Sequence, residues 1–359
     1  MTDLEIQILT LHTCESLNAT SIQRILEIIS ARGYTLSFLQ DKHVAEMGFR
    51  ANTIHKITQH IAQFDTVRIL EELRAHNITP IFRHDANYPT LLKEIHDPPH
   101  VLFVKGDLHG NLPFVSVVGT RHPTPYGTYC TKTMTSSLVA SGFGIVSGLA
   151  HGIDSIAHQE ALGQQGYTIA VLAHGHNTCT PREHTLATHI IDSGGAVITE
   201  YLPQVPALKH FFPIRNRIIA GISRATLVPE CNTKSGTMIT ASCALRENRD
   251  VLAIPGLISN PYAEGPHQLI SQGAACIYSP VVLQEALGIH THSEQSELPF
   301  QTLSPEAQKV LACLRNQSLH LDDLLEISAL PLPILMRTLR LLEHQKHIEQ
   351  RPGNTFGAI

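Results

Sequence analysis

The sequence predicts an α/β protein centred on a doubly wound, mainly parallel sheet, with a small helical domain before it and a winged helix after it. Three observations predict this. From residue 114 to 288, short apolar runs alternate with helical stretches, the pattern of strand–helix–strand units. Residues 1–78 repeat their apolar side chains at helical spacing only. Beyond a polar linker, 289–303, three helical periods and an alternating tail close the chain.

The elements follow in order. In the leading part Ile22, Ile25, Leu26 and Ile29 share one helical face, and Ile54, Ile57, Ile61 and Phe64 share another, with Gly33, Gly48 and Asn52 as punctuation. Two turn signals, Asn87-Tyr88-Pro89 and Asp97-Pro98-Pro99, precede an apolar run at 101–104. The central runs are 114–118, 144–146, 168–172, 196–199, 225–228, 251–254 and 275–278. Several are apolar throughout, as strands covered on both faces must be. Helices are expected between them at 127–140, 155–163, 183–192, 215–222, 238–247 and 265–271. At the end, Ala307, Val310, Leu311 and Leu314 mark one helix, Leu321, Leu324 and Leu325 a second, and Pro333, Leu335, Leu339 and Leu342 a third. The stretch 346–358 turns at Pro352-Gly353-Asn354, and three helices with a hairpin describe a winged helix. The expected domains are therefore 1–78, 79–288 and 304–359.

Composition narrows the function. The chain has 359 residues, 43% of them hydrophobic and 16% charged, which excludes a disordered tail or a coiled coil. A net charge of −5 argues against a protein that coats duplex DNA through bulk charge, so any nucleic-acid site must be a local basic patch. The seven cysteines are scattered, with none at C-x-x-C spacing, as in a reduced compartment. Neither a signal-peptide pattern at the N-terminus nor an apolar run of about 18 residues is found, and a cytoplasmic location is expected.

In a doubly wound sheet, ligands bind beyond the carboxyl ends of the strands. After the first central strand, Gly119 permits a tight turn and Arg121 precedes a helix. After the second, Ser147, Gly148 and Gly152 could turn backbone N–H groups toward an anion; equally, they could form only the turn into a helix capped by Asp154. After the fourth come Lys209, Phe212, Arg215, Asn216 and Arg217, a basic and aromatic loop suited to phosphates and a stacked base. Its bland reading is surface cations over core phenylalanines. After the fifth, Lys234 precedes Ser235, Gly236 and Thr237, which open a helix. The convergence of these loops on one rim predicts an anion-lined groove.

With these loops in view, the chain resembles the DNA-processing A (DprA/Smf) family. The matching strings are Val117 to Arg121, Thr124 to Gly127, SGLAHGIDSIAH from Ser147, PREH from Pro181, FPIRNRIIAGIS from Phe212, SGTMITASCAL from Ser235, AIPG from Ala253 and HQLISQGA from His267, together with Tyr88-Pro89 and Asp97-Pro98-Pro99. The resemblance covers roughly 85–280. It implies an extended Rossmann-like domain that binds single-stranded DNA, protects it and loads the recombinase RecA on it, as in natural transformation and recombination. It further implies a homodimer formed through the C-terminal part of that domain. Arg121 matches the family's strand-binding arginine, Lys209 its phosphate-contacting lysine and Phe212 its base-stacking aromatic. The flanking units match accessory domains, the first of a SAM or helix-hairpin-helix type. The chain departs from the family at 173–181, at Asn248 and at His267.

Other readings carry less. A nucleotide-processing enzyme of a related fold would use Glu230 as general acid/base, with Arg121 or Arg217 holding phosphate. The 23 histidines lack zinc-site spacing; His151 and His158 are expected to cap, pack or hydrogen-bond, and His174 and His176 could both face solvent. Ser147 lacks a G-x-S-x-G setting. No catalytic residue, metal or cofactor is expected. The third helix of the winged helix offers Arg337 and Arg340, and the hairpin Lys346 and Arg351, so it suits protein contact as well as DNA contact.

Overall fold

The computed structural model describes residues 1–14, 16–32, 36, 48–289, 304–314, 317–344, 347–351 and 353–358. Gly33, Lys346, Pro352 and the linker from 290 onward lie outside the described residues. The chain divides into two compact units, Met1–Ile289 and His290–Ile359.

Among the described residues, four helices lead the first unit: α1 (Asp3–His12), α2 (Ala19–Arg32), α3 (Ala51–Gln63) and α4 (Thr66–Ala75). A Thr2–Glu5 capping box starts α1, each side chain taking the other's backbone N–H. The apolar faces read from sequence meet in one cluster that includes Ile22, Ile25, Ile29, Ile54 and Ile57. These helices are tied to the sheet by polar clamps. Asp97 accepts from the Ala19 N–H at 3.1 Å, and buried His100 bonds the Ala19 carbonyl at 2.9 Å.

Two strands then form an edge: β1 (Thr79–Phe82) and β2 (Val101–Gly106), joined across the short helix α5 (Thr90–Lys93) and paired antiparallel. The turn signals between them have a structural purpose. Tyr88 is fully buried, and its hydroxyl donates to the Pro99 carbonyl at 2.6 Å. The alternating part comprises β3 (Phe114–Val117), α6 (Pro125–Ala140), β4 (Gly144–Ser147), α7 (Ile153–Gly163), β5 (Thr168–Val171), α8 (Pro181–Asp192), β6 (Ala196–Thr199), α9 (Phe211–Ile222), β7 (Ala225–Val228), α10 (Gly236–Arg246), β8 (Asp250–Ala253), α11 (Glu264–Ser271), β9 (Ala275–Cys276) and α12 (Pro280–Ala286).

The sheet order is β1-β2-β6-β5-β4-β3-β7-β8-β9. The β2–β6 pair is antiparallel, and the strands from β6 to β9 run parallel. Every residue of β3, β4, β5, β6 and β7 is buried, which is why these runs are mainly apolar, with one buried Ser or Thr in each, rather than alternating. The chain winds from β3 out to β6, then returns through α9 to place β7 on the other side of β3. A crevice therefore opens beyond the carboxyl ends of β3 and β7. Helices α6 and α8 start two residues earlier than the apolar spacing predicts. Thr124 and Thr180 cap them, with Pro125 and Pro181 in the first turn. Such starts are set by cap chemistry rather than by the apolar period.

The second unit contains α13 (Pro305–Leu314), β10 (Leu319–His320), α14 (Leu321–Ser328), α15 (Leu332–His344), β11 (Ile348–Arg351) and β12 (Thr355–Ala358), with β12 central in the small antiparallel sheet. Its core joins Ala307, Val310, Leu324, Leu335, Leu339 and Phe356. It is a winged helix. Among the described residues, no helix is long and apolar enough to cross a membrane.

Candidate nucleic-acid interface

The crevice beyond β3 and β7 is a cavity of about 340 Å³. Gly119, Arg121, Phe212, Arg215, Asn216, Ser235, Gly236 and Thr237 line it, so eight of the residues singled out from sequence meet there. The loop after β3 is pinned on both sides. The Thr120 N–H donates to the Glu230 carbonyl at 2.7 Å, and the Thr120 carbonyl accepts from Ile153 N–H at 3.1 Å. Gly119 is required by this close approach, since a Cβ there would stand 2.5 Å from Ile153 Cγ1 and 2.8 Å from the Glu230 carbonyl oxygen. The pinned loop leaves Arg121 exposed at its tip.

On the facing side, the loop after β7 folds on itself. The Asn232 carboxamide oxygen accepts from Lys234 N–H at 3.1 Å, and its carbonyl accepts from Ser235 N–H at 3.1 Å. Ser235 occupies the N-cap of α10, yet its side chain makes no capping bond. The first N–H groups of a helix have no partner within it, and they carry the positive end of the dipole. Gly236 and Thr237 thus present an open helix start to the groove. Phe212, half-buried at the start of α9, completes the wall. Its neighbour Phe211 is buried instead, stacked on Tyr201 at 4.3 Å between ring centroids. Lys209 and Lys234 are exposed on the loops before α9 and α10, outside the lining itself.

Several polar residues of the predicted set are spent inside the protein. Arg215 is buried, and its guanidinium donates to the carbonyls of Gly148, at 3.0 Å, and Val171. Burial pushes its pKa down to about 10, opposed by the nearby Asp154 charge. Asp154 is also buried; its carboxylate accepts from Gly148 N–H at 3.1 Å, and burial raises its pKa against the pull of Arg215. Gly148 cannot bear a side chain, because a Cβ would lie 2.7 Å from the Arg215 guanidinium. Ser147 donates to the Val117 carbonyl at 2.7 Å, and Asn216 donates to the Gly236 carbonyl at 3.2 Å. Gly152 has φ +88°, and a Cβ there would meet the Thr120 carbonyl oxygen at 2.3 Å. The loop after β4 is thus a folded turn whose polar groups are largely satisfied internally. Arg217 lies on another face of α9, paired with Glu200 at 2.5 Å and Asp97 at 3.4 Å.

Glu230 is 1% exposed and fully engaged. Its carboxylate accepts from Thr124 N–H at 2.9 Å, the Thr124 hydroxyl at 2.6 Å and the Asn260 amide at 2.9 Å. His174 and His176 do not face solvent: both are buried, with His176 bonded to the Phe103 carbonyl at 2.9 Å. Among the described residues, the one His/Cys/Asp/Glu group with metal-like spacing is Glu5, His84 and Asp85, which lies outside the groove lining. Sequence reasoning passed over His122, Ala150, Asn232 and Thr240, which also line the groove. Each sits in or beside a loop already singled out, and position after a strand was the available signal.

A second surface feature lies at the far edge of the sheet. Leu257 and Ile258 follow β8, and Tyr278 follows the adjacent β9; they are 75%, 95% and 70% exposed.

Known proteins share this architecture. The family model for DNA recombination-mediator protein A matches residues 79–288, and that for the DprA winged helix domain matches 294–354. Protein Smf of Escherichia coli is 40% identical over 277 residues, 74% of each chain. Protein Smf of Synechocystis is 35% identical over 347 residues, covering 86% of this chain and 87% of its own. The crystal structure of DNA processing protein A from Streptococcus pneumoniae superposes with a TM-score of 0.68 at 33% identity, covering 79% of this chain and 98% of that one. The DNA processing protein A of Helicobacter pylori, whose structure concerns its single-stranded DNA binding mode, superposes with a TM-score of 0.51 at 28% identity over 58% of this chain and 98% of that one. With a family model spanning more than half its length and relatives this similar along most of the rest, the chain belongs to the DNA recombination-mediator protein A (DprA/Smf) family.

Proposed function

We propose that the groove binds one strand of DNA without sequence preference. The observation that carries this reading is the meeting of three different recognition elements in one cavity: the exposed cation Arg121, the half-buried ring of Phe212 and the uncapped start of α10. A phosphate sits at Gly236 and Thr237, a base stacks on Phe212, and Arg121 neutralises the neighbouring phosphate. Lys209 and Lys234 add charge at the margins. A duplex, whose bases are already stacked, gains nothing from Phe212. That the Helicobacter pylori relative binds single-stranded DNA supports the choice of a single strand.

The groove chemistry does not favour hydrolysis. Glu230, the carboxylate suited to acid–base work, holds the turn into α6. The protein acts as a binding mediator that protects the strand and delivers it to RecA recombinase during transformation and recombination, as its family membership suggests. The exposed Leu257, Ile258 and Tyr278 surface joins two copies into a homodimer. The domain at 79–288 binds the strand, while 1–78 and 304–359 are accessory. Competition between a labelled single strand and unlabelled duplex tests the reading. Duplex that competes as well as single strand overturns it.

A further inference from the structure

The groove is bounded on one side by the loop after β4, and that loop has a second cavity behind it. Ala150 lines the groove, while its neighbour Leu149, at φ +58°, lines a cavity of about 260 Å³ between the first turns of α7 and α8. Arg182 stands on that second cavity. His122, in the groove lining, meets His151, which lies outside both linings; both are exposed, with ring centroids 6.3 Å apart and edge to face. Arg121, His122, His151 and Arg182 therefore form a row of cationic or protonatable side chains across the carboxyl edge of the sheet.

This row differs from the buried arginines nearby. Arg215 is held by backbone carbonyls, and Arg217 is ion-paired with Glu200 and Asp97. Among the described residues, no hydrogen-bonding or ion-pair partner holds the side chains of Arg121, His122, His151 or Arg182. Glu183, next to Arg182, also lines the second cavity, but its carboxylate is engaged: it accepts from the Thr180 hydroxyl at 2.7 Å and lies 3.9 Å from the His174 ring. The charged groups whose field reaches His151 are Arg182 and His122. An exposed row of one sign attracts a polyanion, and this one continues directly from the groove.

Resting on the groove reading above, we propose that a longer single strand continues over the 148–152 loop and that His151 on that loop and Arg182 at the second cavity hold its outgoing phosphates. Binding then takes up a proton. His151 loses basicity in the free protein, through desolvation and then through Arg182 and His122. A phosphate beside it restores that basicity, so its contribution to affinity is present at low pH and lost as pH rises through the bound-state value.

The test uses the full chain and oligothymidylates of about 5 and about 15 nucleotides, lengths within the usual range for single-strand sites. The doubly substituted His151→Ala, Arg182→Ala protein should bind the short strand as the parent does. It should bind the long strand roughly three- to tenfold more weakly at pH 6, the size expected when one or two exposed charged groups are removed. The slope of log affinity against log salt should fall by about 0.7 for each phosphate no longer neutralised, and most of the pH dependence should disappear. Unfolding temperature reports whether the variant is folded, and Arg182→Lys should restore much of the salt slope. Equal weakening for both lengths, or unchanged affinity for the long strand, overturns the extension and leaves the groove reading standing. Failure of the parent protein to bind either strand overturns the groove reading itself.

Discussion

Arg215 and Asp154 grip the same residue from opposite ends: Arg215 donates to the Gly148 carbonyl at 3.0 Å, and Asp154 accepts the Gly148 N–H at 3.1 Å. The turn beneath the groove is thus held by a buried pair of opposite charges. Removing one member of such a pair leaves the other uncompensated, at a cost of about 3–5 kcal/mol. Arg215→Met should therefore lower the unfolding free energy by an amount in that range, read by urea titration. A variant of unchanged stability that has lost strand affinity would instead make Arg215 a direct phosphate ligand.

Phe212 and Lys209 should behave in the opposite way. Phe212→Ala should weaken single-strand binding by about 1–3 kcal/mol, the usual contribution of a stacked base, and Lys209→Ala should add a smaller weakening that salt removes. Phe212→Tyr should retain most of the affinity, since the π-face persists. Both residues lie at the margin of the fold, and circular dichroism melting should change little. Full affinity in the Phe212→Ala, Lys209→Ala protein would displace the strand from this wall.

Glu230 should matter for stability and not for chemistry. Its carboxylate accepts three hydrogen bonds in a buried site, and Gly127 packs so closely that a Cβ there would stand 2.1 Å from one of its oxygens. Glu230→Ala leaves the Thr124 and Asn260 donors unsatisfied, a cost of about 1–3 kcal/mol or more. Gly127→Ala should destabilise through the same close approach. Incubation of the parent protein with nucleoside monophosphates should release no free base, and release abolished by Glu230→Gln would reinstate a hydrolase.

Buried imidazoles set the acid limit. Burial, with the Arg215 charge adding to it, depresses His158 to about 3, and burial depresses His176 to about 4, against the ordinary 6.5. Burial lowers His100 as well. The unfolded chain takes up protons below about 6.5 that the folded chain refuses. Their stabilisation is therefore complete above that pH and is lost as pH falls from 6.5 toward 4, by up to about 1.4 kcal/mol per unit for each ring. Urea titrations at pH 7.5 and 5.5 should differ accordingly, and His158→Gln should flatten the trend. Equal stability at the two values would contradict these burials.

The exposed Ile258 should control association. Ile258→Glu places a charge on the face proposed above to join two copies, and light scattering should show the mass fall to that of one chain. A parent protein already of single-chain mass would remove the dimer.

Much of the fold is written in local pattern. The runs that became β3 to β7 are mainly apolar, each with one buried Ser or Thr, because helices cover both faces, and that is visible without coordinates. The groove loops were legible because ligands of such sheets bind after strands. The fate of individual charges was not. Arg121, Arg215 and Arg217 look alike in sequence; whether each meets solvent or a carboxylate depends on Asp97, Asp154 and Glu200, which the fold brings from other elements. His174 and His176 read as solvent-facing for the same reason, since the Phe103 carbonyl that takes one of them lies on β2. Asn232 and His122 are marked in sequence only by their position after a strand, and the closure of two loops around one cavity makes them lining residues.

The central claim is tested most directly by fluorescence anisotropy of a labelled single strand and its matching duplex across a salt series, comparing the parent protein with Arg121→Ala and Lys209→Ala. The account predicts preference for the single strand, weaker binding in both variants, and a salt slope reduced by about 0.7 for each phosphate left without its cation. Equal affinity for duplex and single strand, untouched by either substitution, would contradict it.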